Sequence, residues 1–248
     1  MAPSELLAVL DAAAGAVRKA LDELSDWGPA GTRPGQYRSD LAADSAAVEV
    51  LVDAGLGVLS EESGLTEGDR ELLAVLDPVD GSTNASRGLP WFATSLCVLD
   101  DEGPLAALVL NQATGERFEV VRGDGARRNG APAAPTDCRA MADALVGLTG
   151  SPSIRLGWRQ VRALGAAALD LCAVACGQLD AYLDCSANSH GPWDYLGGLL
   201  VCQEAGAVVA DAHERDLVAR GPEDKRAPVA AATPELLAEA LAARARLD

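Results

Sequence analysis

The sequence predicts a layered αβαβα fold of the α/β (α+β) class, with an N-terminal antiparallel sheet and a C-terminal mixed sheet. Two observations carry that prediction. Between residues 57 and 122, short apolar runs are separated by tight turn signals: Asp101-Glu102-Gly103-Pro104, Thr114-Gly115 and Gly123-Asp124-Gly125. Such spacing favours antiparallel hairpins. After about residue 140, strands alternate with helices of small residues, which is the pattern of an α/β unit. The change divides the chain into an N-terminal part, 1–140, and a C-terminal part, 141–248.

Each element has its own signal. Leu6, Leu10, Val17, Leu21 and Leu24 form one helical stripe, with Ser4 as the expected N-cap and Trp27-Gly28-Pro29 as the stop. A loop rich in Gly, Pro and Thr follows, then a second helix from Asp40 to Ala54, ended by Gly55 and Gly57. Strands are expected at 57–60, 72–76, 92–99, 105–110 and 117–122. The C-terminal part predicts strands at 144–147, 158–161, 181–183 and 207–210, and helices at 165–177 and 195–205. Thr233-Pro234-Glu235, an N-cap followed by proline at the first helical position, opens a terminal helix.

Composition narrows the function. Twenty Lys plus Arg against thirty-seven Asp plus Glu leave a net charge of −17 over 248 residues. Phosphate backbones and anionic lipid surfaces repel such a chain, and no basic stripe offsets the charge, so neither nucleic acid nor membrane is an expected partner. No apolar run approaches the roughly 20 residues of a membrane helix. The first five residues have no basic region and include Glu5, so no secretion signal is expected and the expected compartment is the cytoplasm. Six cysteines sit mostly among apolar neighbours and read as reduced core thiols. Cys172 and Cys176 are the best available pair, and only His190 and His213 could complete a zinc site.

The chemistry concentrates where apolar strands end in acid. The run 72–76 gives way to Asp77-Pro78-Val79-Asp80-Gly81-Ser82-Thr83-Asn84. Pro78 holds Asp77 extended, and Gly81 permits a tight turn. Two carboxylates three residues apart at a strand end can converge on one hard cation. The amides of Gly81, Ser82 and Thr83 would then face an anion, and a cation beside an amide nest is a phosphate site. Alone, such a motif is more often an Asp-rich turn with an N-cap. Here the strand at 57–60 also ends in Glu61 and Glu62, and Pro192-Trp193-Asp194 stands at the start of a helix carrying Gly197 and Gly198.

Ser60-Glu61-Glu62-Ser63, the run from Asp77 to Asn84, and Trp193-Asp194-Tyr195-Leu196-Gly197-Gly198 together resemble the inositol monophosphatase family in order and spacing. The early helix around Asp44, the segment from Gly165 to Asp184, Gln203-Glu204-Ala205-Gly206-Ala207 and Ala232-Thr233-Pro234-Glu235-Leu236 extend the likeness over nearly the whole chain. The resemblance implies a Mg2+-dependent, lithium-sensitive phosphatase acting on a small phosphate ester, with two or three Mg2+ ions per site and a homodimeric assembly. It implies Glu61, Asp77 and the Val79 carbonyl at one cation, and Asp77, Asp80 and Asp194 at a second. It implies that Ser82, polarised by Asp44, orients a water bound near Glu61, and that Gly81, Ser82 and Thr83 grip the phosphate. Substrate contacts are implied for Asp80, Gly165, Ala166, Asp184 and Asp194, so most metal ligands fall in 1–140 and the substrate wall in 141–248.

Departures from the family pattern fall beside these residues. Leu41 stands where Thr or Ser is usual three residues before the early Asp, and Arg33 or Arg38 must serve as the basic partner of the acidic pair. The segment 147–162 is shorter than usual, and 184–194 is longer. Asp184 suits a vicinal diol, whereas Arg155, Arg159 and Arg162 would suit a second phosphate. An inositol phosphate, a sugar phosphate, a bisphosphate and histidinol phosphate all remain candidate substrates. A non-catalytic relative that binds metal and phosphate is the alternative, and loss of a ligand would be its signature.

Overall fold

The computed structural model describes residues 1–186 and 188–247; Ala187, in the lengthened segment 184–194, and Asp248 lie outside the described residues. Helices α1 (Pro3–Asp22) and α2 (Arg38–Asp53) come first. Helix α1 starts one residue before the expected Ser4 cap, because Pro3 takes the first helical position and the Glu5 carboxylate accepts from the Ala2 N–H at 2.7 Å. Strands β1 (Gly57–Ser60), β2 (Gly64–Thr66) and β3 (Leu73–Asp80) follow. After the one-turn helix α3 (Ser82–Ser86) come β4 (Ala93–Asp100), β5 (Gly103–Asn111), β6 (Arg117–Val121), β7 (Ala126–Arg128) and β8 (Ala131–Pro132). They form an eight-stranded sheet in the order β2-β1-β3-β4-β5-β6-β7-β8.

Every pairing in this sheet is antiparallel except β1 with β3, which run parallel. The N-terminal sheet is therefore mixed at that one pair rather than wholly antiparallel as expected. The reason is the β2 excursion, which returns the chain across the edge before β3 begins and so reverses its direction. The parallel pair has a consequence for the site: β1 and β3 end on the same side, bringing Glu61 beside Asp77.

The second sheet contains β9 (Leu145–Thr149), β10 (Gln160–Arg162), β11 (Ala181–Asp184), β12 (Val208–Asp211) and β13 (Pro228–Ala231), in the order β10-β9-β11-β13-β12. It is mixed, as expected, with β10, β9 and β11 parallel and β13 antiparallel to both neighbours. Strand β13 had no sequence signal, since Pro228 and three small residues read as loop. It is nonetheless fully buried between β11 and β12. Strand β10 begins two residues later than expected, because Trp158 turns into the core between this sheet and the last helix.

Alternation along the strands explains the layers. In β3 and β4, Leu73, Val75, Cys97 and Leu99 face one apolar cluster, whereas Ala74, Leu76, Leu96 and Val98 face another. A sheet apolar on both faces must be covered on both. Helices α1 and α2 cover one face through Leu6, Leu10, Val17, Ala47 and Leu51. Helices α4 (Ala167–Ala175) and α5 (Pro192–Ala205) fill the space between the two sheets, and α6 (Pro234–Arg244) covers the outside of the second sheet. The order of layers is αβαβα. Among the described residues, no helix is long and apolar enough to cross a membrane.

Within the middle layer, α4 and α5 pack closely through glycine. A Cβ on Gly198 would stand 2.6 Å from the Leu171 Cβ and 3.1 Å from the Ala168 carbonyl oxygen. Gly15, exposed in α1, has nothing within 4 Å of that position. Alanine favours a helix interior over glycine by about 1 kcal/mol, and overpacking a core costs about 1–3 kcal/mol. Gly198→Ala is therefore expected to lower the denaturation midpoint and Gly15→Ala to raise it, measured by chemical unfolding under identical conditions.

Candidate active site

Four carboxylates meet between the ends of β1 and β3 and the start of α5. Glu61 follows β1 directly. Asp77 and Asp80 lie on β3 itself, which runs on to Asp80 with a register shift between the two instead of ending at Leu76. The Asp77 carboxylate accepts from the Val79 N–H at 2.9 Å, and the Pro78 carbonyl accepts from the Thr94 hydroxyl at 2.9 Å, which fixes the irregular turn. Asp80 accepts from the Ala168 N–H at 2.7 Å, in the first turn of α4. Asp194 is in the first turn of α5, which begins at Pro192 and not at Tyr195, and it accepts from the Gly191 N–H at 2.6 Å.

Oxygen atoms of Glu61, Asp77 and Asp194 all lie within 4.8 Å of one another. Asp80 is outside that trio but adjoins it. Burial, reinforced by Asp194, Glu62 and Asp80, pushes the Glu61 carboxyl up to about 8. Burial also holds Asp77 and Asp80 well above the ordinary carboxylate range, with repulsion by Glu61 the next cause for Asp77 and by Asp194 for Asp80. Asp194 is raised mainly by burial. Among the described residues no lysine or arginine forms a salt bridge with any of the four. Oxygen-only donors, buried and mutually repelling, fit a divalent cation of the Mg2+ kind.

Glu62 is separate from this group. It is held by the Arg33 guanidinium and the Gln36 side-chain amide. Arg33 thus serves as the basic partner of the acidic pair; Arg38 instead engages Asp26.

Gly81, Ser82 and Thr83 turn the chain from β3 into α3. Gly81 has φ +86°, and a Cβ there would meet the carbonyl oxygens of Trp91 and Gly165 at 3.0 and 3.1 Å, so only glycine fits. The Asn84 side-chain amide donates to the carbonyls of Trp91 and Leu164, each at 2.7 Å. This bridge brings Gly165 and Ala166 against the turn.

The expected Asp44–Ser82 pair does not form. Asp44, buried on α2, takes its hydrogen bond from the Ser60 hydroxyl. Asp40, one helical turn earlier, lines the cavity with Ser82 and is the acid whose titration that hydroxyl influences. Burial raises Asp40 to about 6 against the opposing hydrogen bonds of the Tyr37 N–H, Ser39 and Ser82. Sequence reasoning missed Asp40. Two signals were present: the mismatch at Leu41, and the i, i+4 spacing that puts Asp40 and Asp44 on one helical face.

Asp184 differs from expectation too. It is fully buried, with one oxygen on the His190 ring Nδ1 at 2.6 Å and the other accepting from the Ser186 N–H at 2.7 Å. It does not line the open cavity. That cavity, about 610 Å3, is bounded by Asp40, Glu61, Glu62, Ser82, Trp193 and Lys225 among others.

Known proteins share this architecture. The sequence signature of the inositol monophosphatase family matches residues 39–247. A fructose-1,6-bisphosphatase of Pyrococcus furiosus is 31% identical over 180 residues, covering 72% of this chain and 70% of that protein. An inositol-1-monophosphatase of Caulobacter vibrioides is 32% identical, covering 72% and 76%. The crystal structure of the extragenic suppressor protein suhB from Bartonella henselae superposes with a TM-score of 0.82 at 25% identity, covering 97% of this chain and 99% of that one. With the family signature spanning most of its length, this chain belongs to the inositol monophosphatase family.

Proposed function

We propose that the chain is a Mg2+-dependent phosphatase of small phosphorylated alcohols. The observation that carries this reading is the carboxylate trio Glu61, Asp77 and Asp194, whose Glu61 lines an open cavity together with Ser82. Glu61, Asp77, Asp80, Asp194 and the Val79 carbonyl would hold the cations. Bound there, they would neutralise phosphoryl oxygens and make the attacking water more acidic.

The rest falls to the chain's own groups. The amides of Gly81, Ser82 and Thr83 orient the phosphate oxygens at the start of α3. Ser82 Oγ accepts a hydrogen bond from the attacking water while donating its own proton towards Asp40. Raised to about 6, the Asp40 carboxyl is basic enough to take that proton as the water's oxygen bonds to phosphorus. The bond from phosphorus to the alcohol oxygen breaks on the opposite side, and the alkoxide takes a proton from solvent in the cavity. Gly165, Ala166, Asp80 and Asp194 form the wall against the alcohol. Asp184 supports that wall from behind through His190 rather than by touching substrate.

A second reading, in which the site binds metal and phosphate without turnover, is left open by the likeness to the extragenic suppressor protein suhB, whose name carries no enzymatic activity. Release of inorganic phosphate from inositol, sugar, sugar bisphosphate and amino-alcohol phosphates, with and without Mg2+, separates the two readings.

Ser82→Ala is expected to lower kcat by about 10²–10⁴ with KM nearly unchanged, as loss of proton-transfer positioning does. Asp40→Asn should match it, and the double variant should be little worse than either single one. Asp44→Asn should act mainly on stability, through Ser60. Steady-state kinetics and melting curves check this; a larger kinetic loss from Asp44→Asn than from Asp40→Asn removes Asp40 from the mechanism.

Asp77→Asn should abolish Mg2+-dependent turnover, while Glu62→Gln retains a measurable fraction, because Glu62 acts through Arg33 and Gln36. Equal losses in a Mg2+ titration of both variants would contradict the division between these carboxylates.

A further inference from the structure

The cavity beside the carboxylates is acidic on one side and carries a cation on the other. Asp40, Glu61 and Glu62 line the acidic side, and Arg33 at the rim is committed to Glu62. Lys225, on the loop between β12 and β13, lines the cavity with Trp193, Pro222 and Glu223. Its ammonium lies 4.7 Å from the centre of the Trp193 ring. Among the described residues it forms no salt bridge, in a chain whose net charge is −17. A lysine seated on an aromatic face keeps its charge and its N–H donors available to a ligand.

Two further observations give that charge a purpose. Lys225 bears electrostatically on Asp194, and Glu223 lines the cavity beside it. Once cations match the charge of Asp194, that carboxylate no longer offsets the ammonium. The arginines of the shortened 147–162 segment do not serve the cavity. Arg155 donates to the Trp158 carbonyl, Arg162 donates to the Val161 carbonyl and the Gln160 side chain, and Arg159 is likewise absent from the lining.

We propose that Lys225 is a specificity-determining residue that binds a second anionic group, carboxylate or phosphate, on the alcohol portion of the substrate. Esters of anionic alcohols are then preferred over esters of neutral ones. The proposal rests on the phosphatase reading above. It adds a residue from a loop that no sequence motif singled out, and it places the anion selectivity away from the catalytic carboxylates.

The test uses matched pairs: 3-phosphoglycerate against glycerol 1-phosphate for a carboxylate, and fructose 1,6-bisphosphate against fructose 6-phosphate for a second phosphate. The full chain is compared with Lys225→Gln and Lys225→Arg. Lys225→Gln should lower the anionic-to-neutral ratio of kcat/KM by about tenfold through KM in at least one pair, and Lys225→Arg should retain most of the ratio. The pair that responds identifies the anion. A fall by the same factor for both members of each pair, or no change in either ratio, overturns the proposal. A second arm needs no turnover. With Ca2+ in place of Mg2+, calorimetry should show the dissociation constant of the responding anionic ester rising about tenfold in Lys225→Gln, with a much smaller change for its neutral partner. If the wild-type chain hydrolyses no ester, the phosphatase reading fails while this arm still judges Lys225, with all four esters titrated. Equal weakening of both partners, or no binding of any ester by the wild type, overturns the proposal there.

Discussion

Repulsion among four carboxylates, two buried and two half-buried, is the constraint around which the two halves of this molecule are assembled. Glu61, Asp77, Asp80 and Asp194 converge between the ends of β1 and β3 and the start of α5, with no lysine or arginine paired to any of them among the described residues. Burying one unpaired carboxylate is costly, and several together cost more. Each is therefore held by a separate piece of backbone. The Val79 N–H fixes Asp77, the first turn of α4 fixes Asp80, and the Gly191 N–H fixes Asp194. The positive ends of α4 and α5 thus face the cluster, and the parallel pairing of β1 with β3 delivers Glu61 to it.

The middle layer serves the same end. Helices α4 and α5 are mostly buried, and Asp170 and Asp194 stand in their first turns. Gly198 lets them pack closely, and Gly197 fits against Ser95 and Val109 of the first sheet. Ser95 in turn donates to the Trp193 carbonyl at 3.2 Å, one residue from Asp194. The position of Asp194 relative to Asp77 therefore depends on helix packing across the two sheets. Asn84, bridging Trp91 and Leu164, does the same for the Gly81–Thr83 turn and the Gly165–Ala166 segment.

Much of this was legible because it rests on local chemistry. The Asp77–Asn84 run declares a strand end, a turn only glycine can make and a helix start within eight residues. The layers follow from apolar alternation and turn spacing. What was not legible depends on tertiary pairing. Strand β13 lacks periodicity, because a strand of small residues buried on both faces needs none. The parallel β1–β3 pair turns on the short strand β2, which carries no apolar run of its own. Asp40 and Asp44 share one helical face, and only the placement of Ser60 and Ser82 around α2 tells them apart. Asp184 has the expected residue type at the expected strand end, but its role depends on a ring six residues along the chain, His190.

The central claim is that these carboxylates form a divalent-cation site with Asp77 at its centre. Equilibrium binding of Mn2+, followed by electron paramagnetic resonance on the wild-type chain and on Asp77→Asn without substrate, tests it most directly. The account predicts two or three Mn2+ ions per wild-type chain, displaced by Mg2+, and loss of the tightest of them in Asp77→Asn together with a native melting curve. A wild-type chain that binds no Mn2+, or an Asp77→Asn chain that binds it as tightly as the wild type, would contradict the account.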